Sequence, residues 1–433
     1  MVIKSLKTFI LVSFLSSFLS VSSQNIDKTE IRVKKLASPK FAGRGYVDNG
    51  LNYAATYIKK ELESMGVKPY KKSYFQEFEM SVNTFPSKME VKIDNEFITP
   101  GIDYLVGREC PTVKGNFTLF YVDSITLNDT LKFIEIITEK QLSQSFVIIN
   151  FPQINTAITT FYDKLLKNNK YKFGGFVKLT DKKLVWSPGK VQFDFPVIEI
   201  LKNTFPENAQ EIYVNITAKF IKNYKAKNII AHIEGENKDE YIVFTAHYDH
   251  LGKMGKNVYM PGAYDNASGV ALLLDFAEYY TSYKPKCSLL FIFTSGEEAG
   301  LLGSKYYVEN PVFDLSKIKI SLNFDIVGNG ENGLRVGNTS LDSYQKIKEL
   351  LENIIDEQQL GITLIPEGES KSSDHYPFHA KGIPAISFAT QGNTAIFYHH
   401  IKDRPETLTY AGYKQLFKLI TEIVNKNFLF VYR

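Results

Sequence analysis

Hydrophobic positions near the start of the chain recur with the spacing of an amphipathic helix. The apolar face consists of Leu51, Ala54, Ala55, Ile58, Leu62 and Met65. Intervals of three and four residues place these side chains on one side of a helix. Asp48 or Asn49 can cap its start, and Gly66 fits the position just after its end. The pattern therefore predicts a helix between these residues.

Between about residues 86 and 222 the pattern changes to short runs typical of β-strands. The runs are "KMEVKI", "NFTLFYV", "SFVIINF", "GGFVKL" and "FPVIEI". Polar turns separate them, and at least one helix is indicated near residues 157–168. Short strands punctuated in this way predict a compact, β-rich module.

From about residue 223 onward, apolar strand candidates alternate with helical stretches. The strand candidates are "NIIAHIEG", "EYIVFTAHYDH", "CSLLFIFTSGEE" and "KIKISLNFDIVG", and the helical stretches cover 268–282 and 341–357. Alternating strands and helices predict an α/β sheet covered on both faces. A chain of 433 residues, 44% of them hydrophobic, can bury one large and one smaller core, so two domains are expected.

The first residues have the pattern of a secretory signal peptide. Lys4 and Lys7 precede an apolar run from Phe9 to Val21, and small residues follow. The run is short and interrupted by serines, which disfavours a membrane anchor. We therefore expect residues 1–23 to be removed, and the protein to be exported to the periplasm or secreted, with no stable membrane span.

Charge and cysteine content narrow the classes of function. The net charge is +4 and no dense Lys/Arg cluster is present, so no nucleic-acid partner is expected. Cys110 and Cys287 can form a disulfide or remain two buried thiols, and their number excludes a cysteine-based metal site. All seven histidines lie at or beyond residue 232. Imidazole groups of any metal or acid–base centre must therefore come from the second half of the chain.

Candidate chemistry lies at the ends of the predicted strands. In "YIVFTAHYDHLG" a strand delivers His247 and Asp249, whose side chains share one side of the strand. An imidazole can bind a metal through one nitrogen while a carboxylate orients the other. Asp265 lies in a Gly-rich loop before a helix, and because Ser268 can cap that helix, Asp265 is free for another role.

Two adjacent carboxylates, Glu297 and Glu298, follow another apolar strand, and their repulsion needs a nearby positive charge. Asp325 ends a further strand, and His399 and His400 come later. Ligands of α/β sheets bind at the carboxyl ends of strands, and mixed His and carboxylate side chains suit zinc. One glutamate can bind metal while its neighbour acts as a general base on water.

Several motifs together resemble a known family. The segments "AHYDHLG", "PGAYDNASG", "FTSGEEAGLLGS", "NFDIVG", "SDHYPF…GIPAISF" and "FYHH" are similar to those of the co-catalytic dizinc exopeptidases of the aminopeptidase Y and aminopeptidase S type. The resemblance covers about 225–433, and "SPKFAGRG…AATYIKKELESMGVKP" resembles that family's opening.

The resemblance implies an α/β three-layer sandwich with a central mixed, mostly parallel β-sheet, of the zinc exopeptidase, phosphorylase/hydrolase-like class, plus a β-rich inserted domain. The insert itself resembles a protease-associated domain. The expected division of the chain is a signal peptide at 1–23, the first part of the peptidase domain at 24–85, the insert at 86–222, and the remaining peptidase domain at 223–433.

Two zinc ions per chain are implied by the resemblance. Their ligands would be His247, Asp265, Glu298, Asp325 and His399. In this assignment Asp265 bridges both ions, Glu298 and Asp325 lie on opposite ions, Asp249 orients His247, and Glu297 is the general base. His400 is the adjacent alternative to His399.

The resemblance also gives less specific expectations for other positions. Asp374 and His375 occupy the family's "SDH" position and are expected to be supporting or substrate-side groups. Tyr264 departs from the Asp or Asn that often precedes the bridging residue. The family also tends to place a cis peptide bond directly after that residue, between Asp265 and Asn266 here.

These expectations converge on an exported aminopeptidase that acts on peptides with a free N-terminus. A carboxypeptidase or dipeptidase of the same clan remains open, because the specificity pocket cannot be placed from sequence. A glutaminyl cyclase-like enzyme, expected to hold one zinc, and a non-catalytic binding ectodomain are the further alternatives. The oligomeric state is left open.

Overall fold

The computed structural model describes residues 24–121, 131, 135, 142–150, 169, 171–393 and 397–426. The predicted signal peptide at 1–23 and the helix predicted near 157–168 lie outside the described residues.

Strands and helices are numbered here in chain order within the described residues. The strands are β1 (Lys68–Pro69), β2 (Phe75–Thr84), β3 (Met89–Ile93), β4 (Glu96–Ile98), β5 (Tyr104–Val106), β6 (Val113–Tyr121), β7 (Ser145–Asn150), β8 (Gly175–Thr180), β9 (Val197–Leu201), β10 (Glu211–Ile216), β11 (Lys219–Ile233), β12 (Asn237–His247), β13 (Lys253–Met254), β14 (Val258–Tyr259), β15 (Cys287–Thr294), β16 (Ile318–Phe324), β17 (Leu334–Val336), β18 (Leu364–Pro366) and β19 (Ala385–Thr390). The α-helices are α1 (Ile26–Leu36), α2 (Gly50–Ser64), α3 (Ser268–Ser282), α4 (Leu302–Glu309), α5 (Gln345–Glu357), α6 (His375–Ala380) and α7 (Tyr413–Asn425).

The larger sheet has the strand order β1-β11-β15-β12-β16-β19-β17-β18, and β2 pairs with β11 as well. Its centre, β15-β12-β16-β19, is parallel. The pairs β11–β15 and β17–β19 on either side of this centre are antiparallel. The mixed sheet predicted from the sequence is therefore confirmed, and its parallel pairing is concentrated at the centre, where the candidate site residues lie.

Alternate residues of the central strands face two different layers, because successive side chains of a strand point to opposite sides. In β12, Ile242 and Phe244 join the large apolar core that includes α2, α3 and α7. Val243, between them, joins a second core with Tyr307 of α4 and Phe378 of α6. Helices thus cover both faces, which confirms the three-layer arrangement.

A second sheet forms the β-rich inserted domain. Its order is β4-β3-β10-β6-β7-β8-β9-β5, with β6, β7, β8 and β9 parallel. The chain leaves the larger sheet at Thr84 and returns at Lys219, and these two residues are paired partners. We call residues 86–222, the range expected from the sequence, the insert. Leu251, Met254 and Ile401, which lie outside the insert, pack against its apolar core.

The helix predicted from the first apolar pattern is α2. Its buried face contains Leu51, Ala54, Ala55, Ile58 and Leu62, and Met65 packs partly buried against the same core. Asn49 is the N-cap residue, but its side chain makes no capping hydrogen bond. Gly66 follows the helix with a φ of 77°, a left-handed conformation that glycine adopts at little cost.

The two cysteines, Cys110 and Cys287, are both buried and are not joined in a disulfide. Of the two possibilities left open by the sequence, the structure shows buried thiols. None of the helices among the described residues is long and apolar enough to cross a bilayer.

Helix α1 is attached to α3 through a buried ion pair. Arg32 contacts Asp275 through Nη1 and Glu278 through Nη2, the latter at 2.8 Å. The side chains of Arg32 and Asp275 are 2% and 6% exposed. Thr29 also donates a hydrogen bond to Asp275 at 2.6 Å. The carboxylate is therefore shielded from water and depends on its protein partners.

We predict that Arg32→Ala destabilises the protein by about 3–5 kcal/mol, because Asp275 would stay buried without its counter-charge. The free energy of unfolding from urea titration measures this effect. Lys34→Ala is the control, since Lys34 pairs with Glu30 on the exposed side of the same helix. Its effect should stay within about 0.5 kcal/mol. Equal effects of the two variants would contradict the prediction.

Candidate active site

Three neighbouring parallel strands deliver acidic and imidazole side chains to one edge of the larger sheet. His247 is the last residue of β12, Asp325 directly follows β16, and Glu297 and Glu298 follow β15. Since β15, β12 and β16 are adjacent and parallel, their carboxyl ends meet. The apolar strands thus bring charged side chains together that are up to 78 residues apart.

Asp265 reaches this edge from the loop before α3. The peptide bond between Asp265 and Asn266 is cis, which confirms the expectation. The Asn266 side chain donates to the Phe324 carbonyl at 2.9 Å and accepts from the Gly269 N–H at 3.0 Å. These contacts connect the loop both to β16 and to the first turn of α3, so the position of Asp265 is set from both sides.

The candidate ligands form two groups that share Asp265. In the first group, His247 Nε2 lies 3.3 Å from Asp265 Oδ1 and 3.1 Å from Asp325 Oδ1. In the second, His399 Nε2 lies 3.1 Å from Asp265 Oδ2 and 3.1 Å from Glu298 Oε2. Each oxygen of Asp265 therefore faces a different imidazole, as expected of a carboxylate between two cations.

The donor set fits divalent metal ions, because these groups converge in a buried place with an excess of negative charge. Asp265 is 4% exposed and Glu298 is 3% exposed. His399 Nε2 faces two carboxylate oxygens but has no hydrogen-bond partner within the described residues. Lone pairs that face one another in this way need a cation between them, and nitrogen and carboxylate oxygen are zinc ligands.

The electrostatics of the side chains indicate the same need for positive charge. Burial lowers the pKa of His399, but the carboxylates of Glu298 and Asp265 outweigh burial and raise that pKa to about 11. Burial alone would raise the pKa of Glu298, yet the neighbouring imidazoles of His399 and His250 lower it to about 2. The carboxylates thus attract a positive charge to the imidazole positions.

Glu297 occupies a different position from Glu298. A carboxylate oxygen of Glu297 lies within 4.8 Å of candidate ligand atoms of His247 and Glu298. Burial, reinforced by the charges of Asp325 and Glu298, raises the pKa of Glu297 well above its usual range against the opposing effect of His247. Glu297 also lines a cavity of about 410 Å³ beside the cluster. A carboxylate of this kind can accept a proton from a molecule held in that cavity.

The same cavity would receive a bound molecule next to the candidate ligands. It is lined by His247, Tyr264, Asp265, Glu297, Asp325, Ile326, Arg335, Ser372, Thr390, Gln391 and Tyr398. The lining combines charged groups of the cluster with tyrosine and isoleucine side chains. Tyr264, the residue that departs from the family pattern, donates a hydrogen bond to the Thr390 carbonyl and is part of this wall.

Asp249 supports the site in a way that differs from the expectation. The sequence suggested that its carboxylate orients His247, but His247 Nδ1 lies 3.1 Å from the Asp249 main-chain carbonyl and 3.9 Å from the carboxylate. The carboxylate instead accepts from the Tyr46 hydroxyl at 2.9 Å and from the Glu297 N–H at 3.3 Å. Asp249 thus connects His247 to the backbone of Glu297.

A chain of polar side chains behind Asp325 was not identified from the sequence. Thr245 donates to Asn323 at 2.8 Å, Asn323 donates to Ser373 at 2.7 Å, and Ser373 donates to Asp325 Oδ2 at 2.6 Å. This chain leaves Asp325 Oδ1 directed toward His247. The only sequence signal was the position of Ser373 within the motif "SDH".

Arg44 and Asp403 hold the loop of Asp265 and were also missed. The fully buried Arg44 guanidinium donates to the carbonyls of Tyr248, Leu36, Pro261, Gly262 and Asp265. The Asp403 carboxylate accepts from the N–H groups of Tyr264 at 2.8 Å and Asp265 at 3.1 Å. Because both act on backbone groups of a distant loop, their sequence signals, "GRG" and "IKD", were slight.

His250 is the third missed residue. It is buried, and its Nδ1 lies 2.8 Å from Glu298 Oε1, the carboxylate oxygen that does not face His399. Its ring meets the His399 ring edge-on, with centroids 5.9 Å apart. The second histidine of "HYDH", three residues after His247, was a signal for this position.

The remaining histidines and Asp374 lie outside the two groups. Asp374 accepts hydrogen bonds from the hydroxyls of Thr294 and Ser304. His375 is buried, and neither of its ring nitrogens has a hydrogen-bond partner within the described residues. His400 accepts from the Lys402 N–H at 3.1 Å and lines a separate cavity. Of the two adjacent candidates, His399 is therefore the one that reaches the carboxylates.

Part of the chain matches a family description, and curated relatives match over a similar length. Residues 228–424 match the description "Peptidase family M28". Aminopeptidase YwaD of Bacillus subtilis is 28% identical over 249 residues, which is 53% of this chain and 50% of that protein. Leucine aminopeptidase 2 of Arthroderma otae is 28% identical over 183 residues, which is 40% of this chain and 35% of that protein. The chain thus spans half the length, or less, of these curated relatives.

Solved structures extend the similarity over most of the chain. A zinc aminopeptidase of Bacillus subtilis superposes with a TM-score of 0.68 at 19% identity, covering 93% of this chain and 95% of that one. The aminopeptidase from Aneurinibacillus sp. strain AM-1 has a TM-score of 0.63 at 21% identity, with the same coverage. At these identities the likeness shows a shared fold.

We predict that Ser373→Ala weakens zinc binding roughly 10- to 100-fold, because Asp325 would lose the hydrogen bond that directs its other oxygen toward His247. Equilibrium dialysis of the full chain against buffered zinc measures the affinity. Ser372→Ala is the matched control, since its exposed hydroxyl bonds to Ser370. Unchanged affinity in Ser373→Ala, or an equal loss in both variants, would contradict the prediction.

Proposed function

Because residues 228–424 match the description of peptidase family M28, we propose that the chain is an exported zinc aminopeptidase of that family. It would hold two zinc ions and hydrolyse the first peptide bond of substrates with a free N-terminus. The observation that carries the proposal is the division of five candidate ligands into two groups around Asp265. Aminopeptidase activity is supported by the names of the curated relatives and of the solved structures with the same fold.

His247 and Asp325 would hold one zinc ion, His399 and Glu298 the other, and Asp265 would bridge them. Charge supports a pair of ions rather than one. The three carboxylates contribute three negative charges and the imidazoles are neutral ligands, so a single divalent ion would leave the buried cluster negative. Two ions give a small positive excess, which attracts an electron-rich group of the substrate.

When bound, zinc ions at these positions would polarise the scissile carbonyl and increase the acidity of the attacking water. Glu297 would remove one proton from that water as its oxygen forms a bond to the carbonyl carbon. The same carboxylic acid would then give the proton to the leaving amine as the peptide C–N bond breaks. Burial raises the pKa of Glu297, which favours holding the proton between these two steps.

The walls of the 410 Å³ cavity suggest where the first residue of the peptide lies. Ile326, Tyr264 and Tyr398 line it beside the cluster, so the first side chain would contact apolar and aromatic groups. The free α-amino group would lie near the carboxylates. The insert would border the site through the contact of Lys183 with Tyr398, and its boundaries at 86 and 222 and its protease-associated identity are part of the proposal.

We predict that Glu297→Gln lowers kcat by at least about 100-fold, because the amide cannot transfer the proton. Zinc content and the free energy of unfolding should stay close to those of the unmodified protein, since Glu297 is not one of the five proposed ligands. Steady-state hydrolysis of an aminoacyl anilide and elemental analysis provide the two measurements. Glu309→Gln, an exposed change at the end of α4, is the control. Undiminished kcat in Glu297→Gln would remove this residue as the base.

The decisive experiment compares two peptides of identical sequence, one with a free N-terminus and one acetylated, with and without a chelator. We expect release of the first residue from the free peptide alone, abolished by the chelator and restored by zinc. Release of the C-terminal residue from both would indicate a carboxypeptidase, and cleavage of dipeptides alone a dipeptidase. Cyclisation of N-terminal glutamine by a one-zinc protein would indicate a glutaminyl cyclase. A protein with no metal and no activity would be a binding ectodomain.

A further inference from the structure

The candidate ligand His399 lacks the support that usually orients a metal-binding imidazole. Such histidines usually donate their second ring N–H to a carboxylate, a carbonyl or water. His247 has a carbonyl 3.1 Å from its Nδ1, whereas His399 Nδ1 has no hydrogen-bond partner within the described residues. His399 also has a φ of 54°, which is unfavourable for a residue with a side chain. Its orientation must come from another contact.

That contact is with the preceding residue. The rings of Tyr398 and His399 are stacked, with centroids 3.9 Å apart and planes inclined by 18°. Stacking restricts rotation of the imidazole about its Cα–Cβ and Cβ–Cγ bonds, so the direction of Nε2 depends on where the Tyr398 ring lies.

Tyr398 is in turn held by the insert. Lys183, between β8 and β9, donates from Nζ to the Tyr398 carbonyl. The same ammonium lies 5.9 Å from the centroid of the Tyr398 ring, within the range of cation–π attraction. One lysine of the insert therefore contacts both the backbone and the ring of the residue that orients His399.

Two further contacts connect the same short segment, residues 397–403, to the insert and to the loop of Asp265. Ile401 packs against the apolar core of the insert, and a Cβ added at Gly101 would lie only 2.9 Å from Ile401 Cγ2. At the end of the segment, the Asp403 carboxylate accepts from the N–H groups of Tyr264 and Asp265. The segment that bears His399 thus lies between the insert and the loop of Asp265.

We propose that the insert positions His399 for metal binding, with Lys183 and Ile401 as the positioning residues. The inference rests on the proposed two-zinc function and assigns the insert a specific task within it. His247 and Asp325 are placed by adjacent strands of the larger sheet and do not need the insert. The two zinc positions should therefore differ in their dependence on it, and only the His399 position should respond to changes in the insert.

The test is a calorimetric zinc titration of the metal-free full-length protein. We expect two binding events in the unmodified protein. In Lys183→Ala and in Ile401→Ala, one event should weaken by 10-fold or more while the other keeps its affinity. Lys183→Arg, which retains the donor and the charge, should restore most of the loss. Lys182→Ala, an exposed change next to Lys183, is the control and should bind zinc as the unmodified protein does.

Two additional readouts separate positioning from general support of the fold. Visible absorption of the Co²⁺-loaded protein should change in the bands of the weaker site in Lys183→Ala and remain unchanged in Lys182→Ala. The melting temperature of the metal-free protein should be the same for the unmodified protein, Lys183→Ala and Lys183→Arg.

Two outcomes would overturn the inference. Unweakened binding of both ions in Lys183→Ala and Ile401→Ala would show that the insert contacts do not position His399. Equal weakening of both events with a lower melting temperature would show a general loss of structure instead. If the unmodified protein itself binds fewer than two zinc ions, the proposed two-zinc function fails, and this result is separate from any effect of the variants.

Discussion

The main physical constraint on this structure is the repulsion among carboxylates that lie close together in a buried site. Asp265, Glu298 and Asp325 converge with two imidazoles at the end of the central parallel strands, where little water can screen them. A cluster of this kind is stable only with positive charge between its members. The adjacent acidic pair Glu297 and Glu298 follows from the same constraint, since one partner can share the compensating charge and the other can remain available for proton transfer.

Burial of the apolar central strands stabilises the fold that holds these charged side chains together. β15, β12 and β16 are buried on both faces by the two cores, and their charged residues are confined to their ends. Around them, polar contacts set the direction of individual oxygens. Ser373 holds one oxygen of Asp325, His250 holds one oxygen of Glu298, and Asp403 holds the backbone of Asp265. Each contact leaves the other oxygen, or the side chain, facing the centre.

Much of this arrangement could be predicted from the sequence, because local patterns of apolar and charged residues indicate it. Apolar runs ending in His247 and Asp325, and the pair after β15, marked both the strands and the ends where chemistry lies. Other features have no local pattern. Arg44 and Asp403 act on backbone groups of remote segments, and short strands such as β17 form only through pairing with other strands, here β18 and β19. For Asp249 the sequence indicated the residue, but only the folded backbone determines that its carbonyl rather than its carboxylate faces His247.

Arg44 determines which part of this chain can fold as an independent unit. It lies far outside the family match at 228–424, yet its guanidinium satisfies the carbonyls of Tyr248, Pro261, Gly262 and Asp265 within that match. An excised fragment limited to the matched residues would bury these carbonyls without a donor, and each such group costs about 1–3 kcal/mol. The matched segment is therefore not an autonomous module, and a fragment that contains it must also include Arg44.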